Sequence, residues 1–397
     1  MKRILFMHQT SVIGGGSFCL LNVIKNIDRT KFYPIVALKA YGSLSEELEK
    51  NGIEVLIFKD MYDIPYNQSL WKLGRLCQYI KLFASLPKFK TLLLSNRIDV
   101  VYLNNMMICD YLKPAKELGL KTILHVREHW PLDEHIHQLN RARKIVTKCA
   151  DKLIAINRYS ASIFPDCANR TTIVYDWVDM ESRRKSFSFN HLFNCDASNL
   201  KVVLFTGGFS SLKGTLSVVE TFSTYAKGDD FRLLILGGEK VTLASGIKGK
   251  LKELLYRCGL YYYYDIRLKQ GIESDNRIVC IPGVYEITSI MEQSYCFVSN
   301  FGIPHANLAL AEALILGVPS LAAATDESYE YSGEGRYALL SKFGDKGDFS
   351  SKFVELLENC DLWRTRANAG SQCIQKMFDL KRNVLILREA MNDISII

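Results

Sequence analysis

The sequence predicts an α/β protein built as two doubly wound domains in tandem, and three observations carry that prediction. At 397 residues the chain is too long for one ordinary core. Short, largely apolar β-rich runs alternate with helical stretches, as parallel strands covered on both faces require. That rhythm passes through "RILFM", "YPIVAL", "EVLIF", "DVVYLN", "TILHV", "KLIAI" and "TIVYDW", stops, and restarts with "KVVLFTGG", "RLLILGG", "RIVCIPG", "CFVSN" and "PSLAAA". The interruption, "MESRRKSFSFNHLFNCDASNL", is polar and suits a linker. The expected organisation is a first domain over 1–180, a linker over 181–200, a second domain over 201–375, and a closing helix over 376–397 that packs back on the first domain. Ligands in such folds gather at the carboxyl ends of the strands, here expected in the cleft between domains.

Composition excludes several classes. A chain with 48% hydrophobic and 23% charged residues is globular rather than disordered. No apolar run approaches the ~20 residues that span a bilayer. The start, "MKRILFMHQTSVIGGGS", has only a short apolar core, so it reads as a first strand and not as a signal peptide. Eleven cysteines without a CxxC pair point to free thiols in a reducing cytoplasm. The net charge of +8 lies wholly in residues 1–180, which hold 25 Lys and Arg against 17 Asp and Glu. No nucleic-acid module accompanies it, so nucleic acid is not an expected partner.

Taken in chain order, the first strand runs into "SVIGGGSFCLLNVIKNID". Gly14, Gly15 and Gly16 allow close backbone approach and leave amide donors at a helix start, but a tight strand–helix turn explains them equally well. Residues 64–98 contain no acid, and carry Lys72, Arg75, Lys81, Lys88, Lys90 and Arg97. Trp71, Leu73, Leu76, Tyr79, Ile80, Leu82 and Phe83 interleave near helical spacing. A helix over 71–90 lying on an anionic membrane and a solvated basic face both fit. Four of the seven histidines fall in "HVREHWPLDEHIH", whose spacings match no standard zinc pattern, so no metal is expected. Residues 240–275 form an enlarged helical connection whose tyrosines read as packing.

The second domain opens with "LFTGGFSSLKGTLSVVETF". Gly207 and Gly208 end its strand, and Lys213 precedes the next helix, placed either to neutralise a phosphate or to sit in solvent. Further on, "SNFGIPHANLALAEALILGVPS" reads as a strand, a polar loop and an apolar helix capped by Asn307 and ended by Gly317 and Pro319. Glu312 sits inside that apolar helix. A buried carboxylate needs a partner. A ribose diol, a structural Arg or a backbone donor would each supply one.

Together these strings resemble the retaining glycosyltransferases of family 4, with the two-domain GT-B fold. The resemblance spans nearly the whole chain through the Gly14–Gly16 loop, "YGSLSEELEKNGIEV", "DVVYLNN", "ILHVREHW", "ADKLIAINRYSASIF" and "IVYDWVD", then "GGFSSLKG", "LLILGGE", "RIVCIPG" and "LALAEALILGVPS". It implies a first domain that binds acceptor and a second that binds a nucleotide-diphosphate sugar, a UDP-sugar before a GDP-sugar, with no cofactor. Lys213 falls where the family's lysine meets the donor diphosphate. Glu312 matches the second glutamate of Glu-x7-Glu, which holds the ribose hydroxyls. Gly15, Gly16, Gly208, Gly283, His305, Asn307 and Leu308 complete the implied donor set. His125 matches a first-domain histidine near the reacting sugar, and Asn104, Arg127 and Glu128 lie at acceptor or positioning sites. Two positions depart from the pattern: Pro304 replaces the first glutamate, and Gly208 replaces an arginine.

The resemblance implies transfer with retention to a glycan or polyprenyl-linked acceptor, in cell-surface polysaccharide or glycolipid assembly. The expected location is cytoplasmic, peripheral on the inner face of the membrane. A degenerate, non-catalytic subunit and a nucleotide-sugar epimerase are the alternatives.

Overall fold

The computed structural model describes residues 1–64, 73–131, 135–177, 179–181, 184–243, 246–259, 263–284 and 287–393. Trp71 and Lys72 of the basic stretch, with the side chains of Leu73 and Arg75, lie outside the described residues, as do Asp133 and Glu134 of the histidine-rich string. The chain divides into two compact units, Met1–Trp177 with Leu380–Ile397, and Val178–Asp379.

The first unit alternates strand and helix: β1 (Lys2–His8), α1 (Gly15–Asn26), β2 (Phe32–Leu38), α2 (Ser43–Lys50), β3 (Glu54–Ile57), α3 (Leu73–Ser95), β4 (Val100–Leu103), α4 (Leu112–Glu117), β5 (Lys121–Val126), α5 (Ile136–Cys149), β6 (Lys152–Ala155), α6 (Arg158–Ser162) and β7 (Thr171–Ile173). Its seven strands are parallel in the order β3-β2-β1-β4-β5-β6-β7. In β1 the period of two sends Leu5 and Met7 into one core and Ile4 and Phe6 into the other, all four without exposed surface. Both faces are therefore covered. One cover is α16 (Leu380–Asn392), whose Val384, Leu387 and Met391 pack in the same cluster as Ile4 and Phe6. The Asn383 side chain accepts a 3.0 Å hydrogen bond from the Tyr175 amide.

The second unit runs α7 (Phe189–Phe193), β8 (Lys201–Phe205), α8 (Thr215–Tyr225), β9 (Phe231–Leu236), α9 (Gly246–Arg257), α10 (Tyr264–Glu273), β10 (Ile278–Ile281), α11 (Ile287–Gln293), β11 (Cys296–Ser299), α12 (Leu308–Ile315), β12 (Ser320–Ala323), α13 (Asp326–Tyr331), β13 (Leu339–Ser341), α14 (Lys346–Glu358) and α15 (Cys360–Met377). The sheet order is β10-β9-β8-β11-β12-β13. The polar interval over 181–200 thus falls within this unit and includes the short helix α7, which Ser188 caps through the His191 amide. Strand β13, three residues long, carries too short an apolar run to be read from sequence.

Both sheets share one logic. The chain starts in the middle, winds outward to one edge, returns to the centre and winds to the other. Direction reverses between β1 and β4, and again between β8 and β11, and loops diverge there to leave a crevice. Among the described residues, no helix is long and apolar enough to cross a membrane.

Candidate functional site

The crevice of the second unit is floored by glycines. Gly208 adopts φ +57°, and a Cβ there would stand 3.0 Å from the Gly237 carbonyl oxygen. Gly214 has φ +75°, and its Cβ would stand 1.6 Å from the Asn300 carbonyl oxygen. No larger residue fits at 214 without moving β11's loop. The same geometry explains why Gly208 stands where the family resemblance expects an arginine: the β8 loop lies left-handed against the β9 loop. Thr215 fastens it by donating a 2.9 Å hydrogen bond to the Gly208 carbonyl.

Lys213 sits in this floor, half-buried, with Nζ 4.4 Å from the centre of the Phe301 ring. Burial lowers its ammonium to about 8, and among the described residues no carboxylate pairs with it. The Phe301 ring also meets the His305 ring, edge-on at 5.3 Å between centres. A few residues on, α12 begins. The Asn307 side chain accepts a 3.2 Å hydrogen bond from the Leu310 amide and donates one of 2.7 Å to Ser299 Oγ. That double contact ties the helix start to the end of β11. Its first amides stay near one another at a positive helix terminus. Glu312, one turn in, is 5% exposed. The arrangement offers one unpaired cation, amide donors and a buried carboxylate, a set suited to a phosphate ester beside a diol.

A separate cavity of about 410 Å3 opens beyond β9 and β10, lined by Phe209, Glu239, Val241, Lys269, Ile272 and Cys280. It is large enough for a flat ring, with Phe209 as an aromatic wall. Sequence reasoning missed Phe301, Phe209 and this cavity. The only local signal was aromatic residues directly after strand ends.

In the first unit a polar chain crosses the ends of β1, β4 and β5. His8 closes β1, with Nε2 2.8 Å from Thr10 Oγ1 and 3.1 Å from Ser17 Oγ. Its Nδ1 takes a 3.1 Å hydrogen bond from Asn104 Nδ2. Asn104 Oδ1 in turn accepts from Arg127 Nε at 2.9 Å. The Arg127 Nη1 donates to both Asp176 oxygens, at 2.6 and 2.7 Å. Burial opposes the Arg127 cation, but the Asp176 carboxylate and its hydrogen bonds, together with Cys19 and Tyr102, outweigh it and the guanidinium stays charged. Burial, then that same charge, brings His8 down to about 4.

His125 lies on β5 at 1% exposure. Its Nδ1 is 3.3 Å from Arg127 Nη2 and 2.6 Å from the Tyr102 hydroxyl. An arginine nitrogen only donates, so Nδ1 must accept, and the tautomer assigned from this network carries its proton on Nε2. Burial, then Arg127, holds the imidazole well below its ordinary value. The Nε2–H is buried and meets no hydrogen-bond acceptor among the described residues. Glu128 follows, with Oε2 accepting 3.1 Å hydrogen bonds from the Met106 and Arg127 amides. Burial raises its carboxyl to about 7, although those amides pull the other way.

The loop Gly14–Gly16 opens α1 beside this chain. None of its glycines has a neighbouring atom within 4 Å of where a Cβ would stand, and none is left-handed. Internal packing does not demand glycine there. A Cβ at Gly283, beyond β10, would stand 4.0 Å from the Gly237 Cα. The structure thus gathers Gly208, Lys213, Gly283, His305, Asn307, Leu308 and Glu312 around the strand ends of one unit. Asn104, His125, Arg127 and Glu128, with Gly15 and Gly16, stand at the strand ends of the other. His8, Tyr102 and Asp176 join the second set, unread from sequence except as parts of strands. Among the described residues no three His, Cys, Asp or Glu side chains gather as a metal site.

Two parallel-sheet α/β units of this order define the GT-B fold of glycosyltransferases. HepE of Anabaena, solved with UDP and glucose, superposes with a TM-score of 0.73 at 18% identity, covering 99% of this chain and 100% of that one. Sucrose-phosphate synthase of Thermosynechococcus elongatus gives 0.68 at 12% identity, with 99% of each chain covered. The UDP-GlcNAc 2-epimerase of Neisseria meningitidis, bound to UDP-GlcNAc, gives 0.60 at 14%, covering 99% and 100%. No protein-family model matches the chain, and no curated protein does either. At such identities the likeness carries the fold.

Proposed function

We propose that the protein is a retaining glycosyltransferase that moves a sugar from a nucleotide-diphosphate donor, a UDP-sugar before a GDP-sugar, to a glycan or polyprenyl-linked acceptor. The observation that carries this reading is the second unit's unpaired Lys213 beside the α12 start and buried Glu312. HepE, which has the same fold, is solved with UDP-glucose. In this reading Lys213 and the amides at Asn307 and Leu308 hold the diphosphate, Glu312 takes the ribose hydroxyls, and the cavity walled by Phe209 takes the base. Gly208 and Gly283 let the ligand approach the backbone, and His305 stands at the sugar end.

The chemistry then needs no side-chain nucleophile. The sugar becomes oxocarbenium-like as the diphosphate leaves, and the leaving oxygen draws the acceptor proton on the same face. The protein contributes position and charge. Lys213 offsets the developing leaving-group charge, a contact of roughly 1.5–3 kcal/mol when charge-assisted. Pro304 offers no carboxylate and Gly208 no guanidinium, so this single lysine carries more of that work. In the first unit His125, neutral and with a free Nε2–H, polarises a substrate oxygen and does not serve as base. The bare face of Gly15 and Gly16 leaves room for a ligand, and Asn104, Arg127 and Glu128 hold that wall. Cell-surface polysaccharide or glycolipid assembly, on the inner face of the membrane, is the setting such an acceptor implies.

The test is a thermal-shift screen of UDP, GDP, ADP, CMP and their sugar conjugates, with Lys213→Ala and Glu312→Ala beside the wild type. Stabilisation by one nucleotide family, lost in both variants, is expected; Glu312→Ala weakens binding at least about tenfold. No stabilisation by any of them sinks the transferase reading in favour of a degenerate subunit. Conversion of the donor sugar without an acceptor would instead identify an epimerase, a reading the shared fold of the Neisseria enzyme keeps in view.

A further inference from the structure

Helix α3 has two apolar faces, and among the described residues only one packs into a core. Leu82, Phe89 and Leu93 point into the core. About a third of a turn around the helix, Leu76, Ile80 and Phe83 are 60%, 60% and 50% exposed, and Leu94 lies on the same line at 61%. Steps of four, three and eleven residues keep these side chains on one stripe of about 27 Å at the helical rise. Soluble surfaces scatter exposed apolar residues singly and rarely align them.

The stripe borders a basic groove. Helices α3 and α5 each carry four Lys or Arg and no carboxylate. A cavity of about 510 Å3 lies along α5, lined by Lys113, His137, Arg141, Lys144 and Lys148. It is continuous with the stripe, because Lys113 Nζ stands 5.9 Å from the Phe83 ring and the Arg141 guanidinium 5.0 Å from the Tyr79 ring. Among the described residues the carboxylate paired with the groove's cations is Asp110, buried and bound to Arg141 and Lys113. Lys144 and Lys148, both exposed, have no ion-pair partner among the described residues. By contrast Lys88 and Lys90, two of the six cations of the basic stretch, pair with Asp60 at 2.8 Å and Glu117 at 3.2 Å.

We propose that α3, α4 and α5 form a docking face for an anionic lipid surface. Leu76, Ile80 and Phe83 enter the acyl boundary, while Lys144 and Lys148, flanked by Arg141, hold lipid phosphates in the groove. An apolar line beside unneutralised cations matches the layered chemistry of such a surface, with hydrocarbon next to phosphate. A protein partner would have to supply both in the same order. The inference stands on the first unit alone and is independent of the donor-site reading.

The experiment is sedimentation of the full chain with vesicles of phosphatidylcholine mixed with phosphatidylglycerol, and with vesicles of phosphatidylcholine alone. Binding to the mixed vesicles only is expected. Lys144→Glu with Lys148→Glu should lower the bound fraction at least about tenfold. Leu76→Ser with Ile80→Ser and Phe83→Ser should do the same without lowering Tm, since all three are exposed. Reversal of the paired Lys88 and Lys90 should cost clearly less. Equal binding to both vesicles, or full binding by the Lys144/Lys148 variant, overturns the proposal. So does displacement by millimolar inorganic phosphate, which would mean a free-anion site. A concentration-dependent dimer lost in the triple serine variant also overturns it, since the stripe would then belong to a second copy. The nucleotide thermal shift, read on the same variants, should be unchanged.

Discussion

Lys213 is a lysine held half out of water with an aromatic ring beneath it and no carboxylate beside it. Its folded value, about 8, lies below the ordinary 10.5. The charged form therefore costs stability at every pH below about 8, and that cost fades as the pH rises toward 10.5. Lys213→Met is expected to raise Tm at pH 7 while weakening diphosphate binding about tenfold or more. Wild-type affinity should fall as the pH climbs through about 8, and the variant's should stay level; calorimetric titration at pH 7 and pH 9 checks both. Glu128 makes the opposite case. Its folded value of about 7 is raised from 4.5, so the fold favours the protonated acid. The stabilising effect is full below about pH 4.5 and lost as the pH rises through 7. Replacing it by Gln should flatten the decline in Tm across that interval.

At the scale of elements, α12 depends on one side chain. Asn307 both caps the helix and joins it to Ser299 at the end of β11. Asn307→Ala should cost about 1–2 kcal/mol and also weaken diphosphate binding, because the amides it positions are the ones the ligand meets. Asn307→Ser, which keeps a capping oxygen, should recover much of the stability and less of the affinity. Denaturant unfolding and the nucleotide thermal shift separate the two. Helix α3 offers a control of the same kind: Phe89, fully buried, should cost about 3–5 kcal/mol when cut to Ala, while Phe83, on the outer stripe, should cost little in solution.

Across the whole molecule, the chain's last described helix belongs to the unit built by its first residues. Removing Leu380–Ile397 would strip Val384, Leu387 and Met391 from the cluster that covers Ile4 and Phe6. Amides of β1 and β2 should then exchange with deuterium far faster, while those of β8 and β9 keep their protection and nucleotide binding persists. Equal loss of protection in both sheets would mean that the two units do not fold on their own terms.

How much of this was written in the chain depends on distance along it. Twelve of the thirteen strands among the described residues were legible, because a buried parallel strand announces itself as a short apolar run; β13 was too brief. Lys213 and Glu312 stood out as candidates for a similar reason, while the ligand roles proposed for them come from the family resemblance. Each lies a few residues from the strand end or helix start that gives it meaning, and local spacing carries that information. His8, Asn104, Arg127 and Asp176 are different. They come from separate strand ends, and only the parallel register that sets Ile4 opposite Val100 and Val100 opposite Lys121 draws them into one chain of hydrogen bonds. The basic stretch divides along the same line. Its helix, its charge and its apolar residues follow from sequence. Which leucines face the core, which lysines are already neutralised by Asp60 and Glu117, and which cations remain on α5 were decided by folding, since ion pairs and burial join residues that no periodicity links.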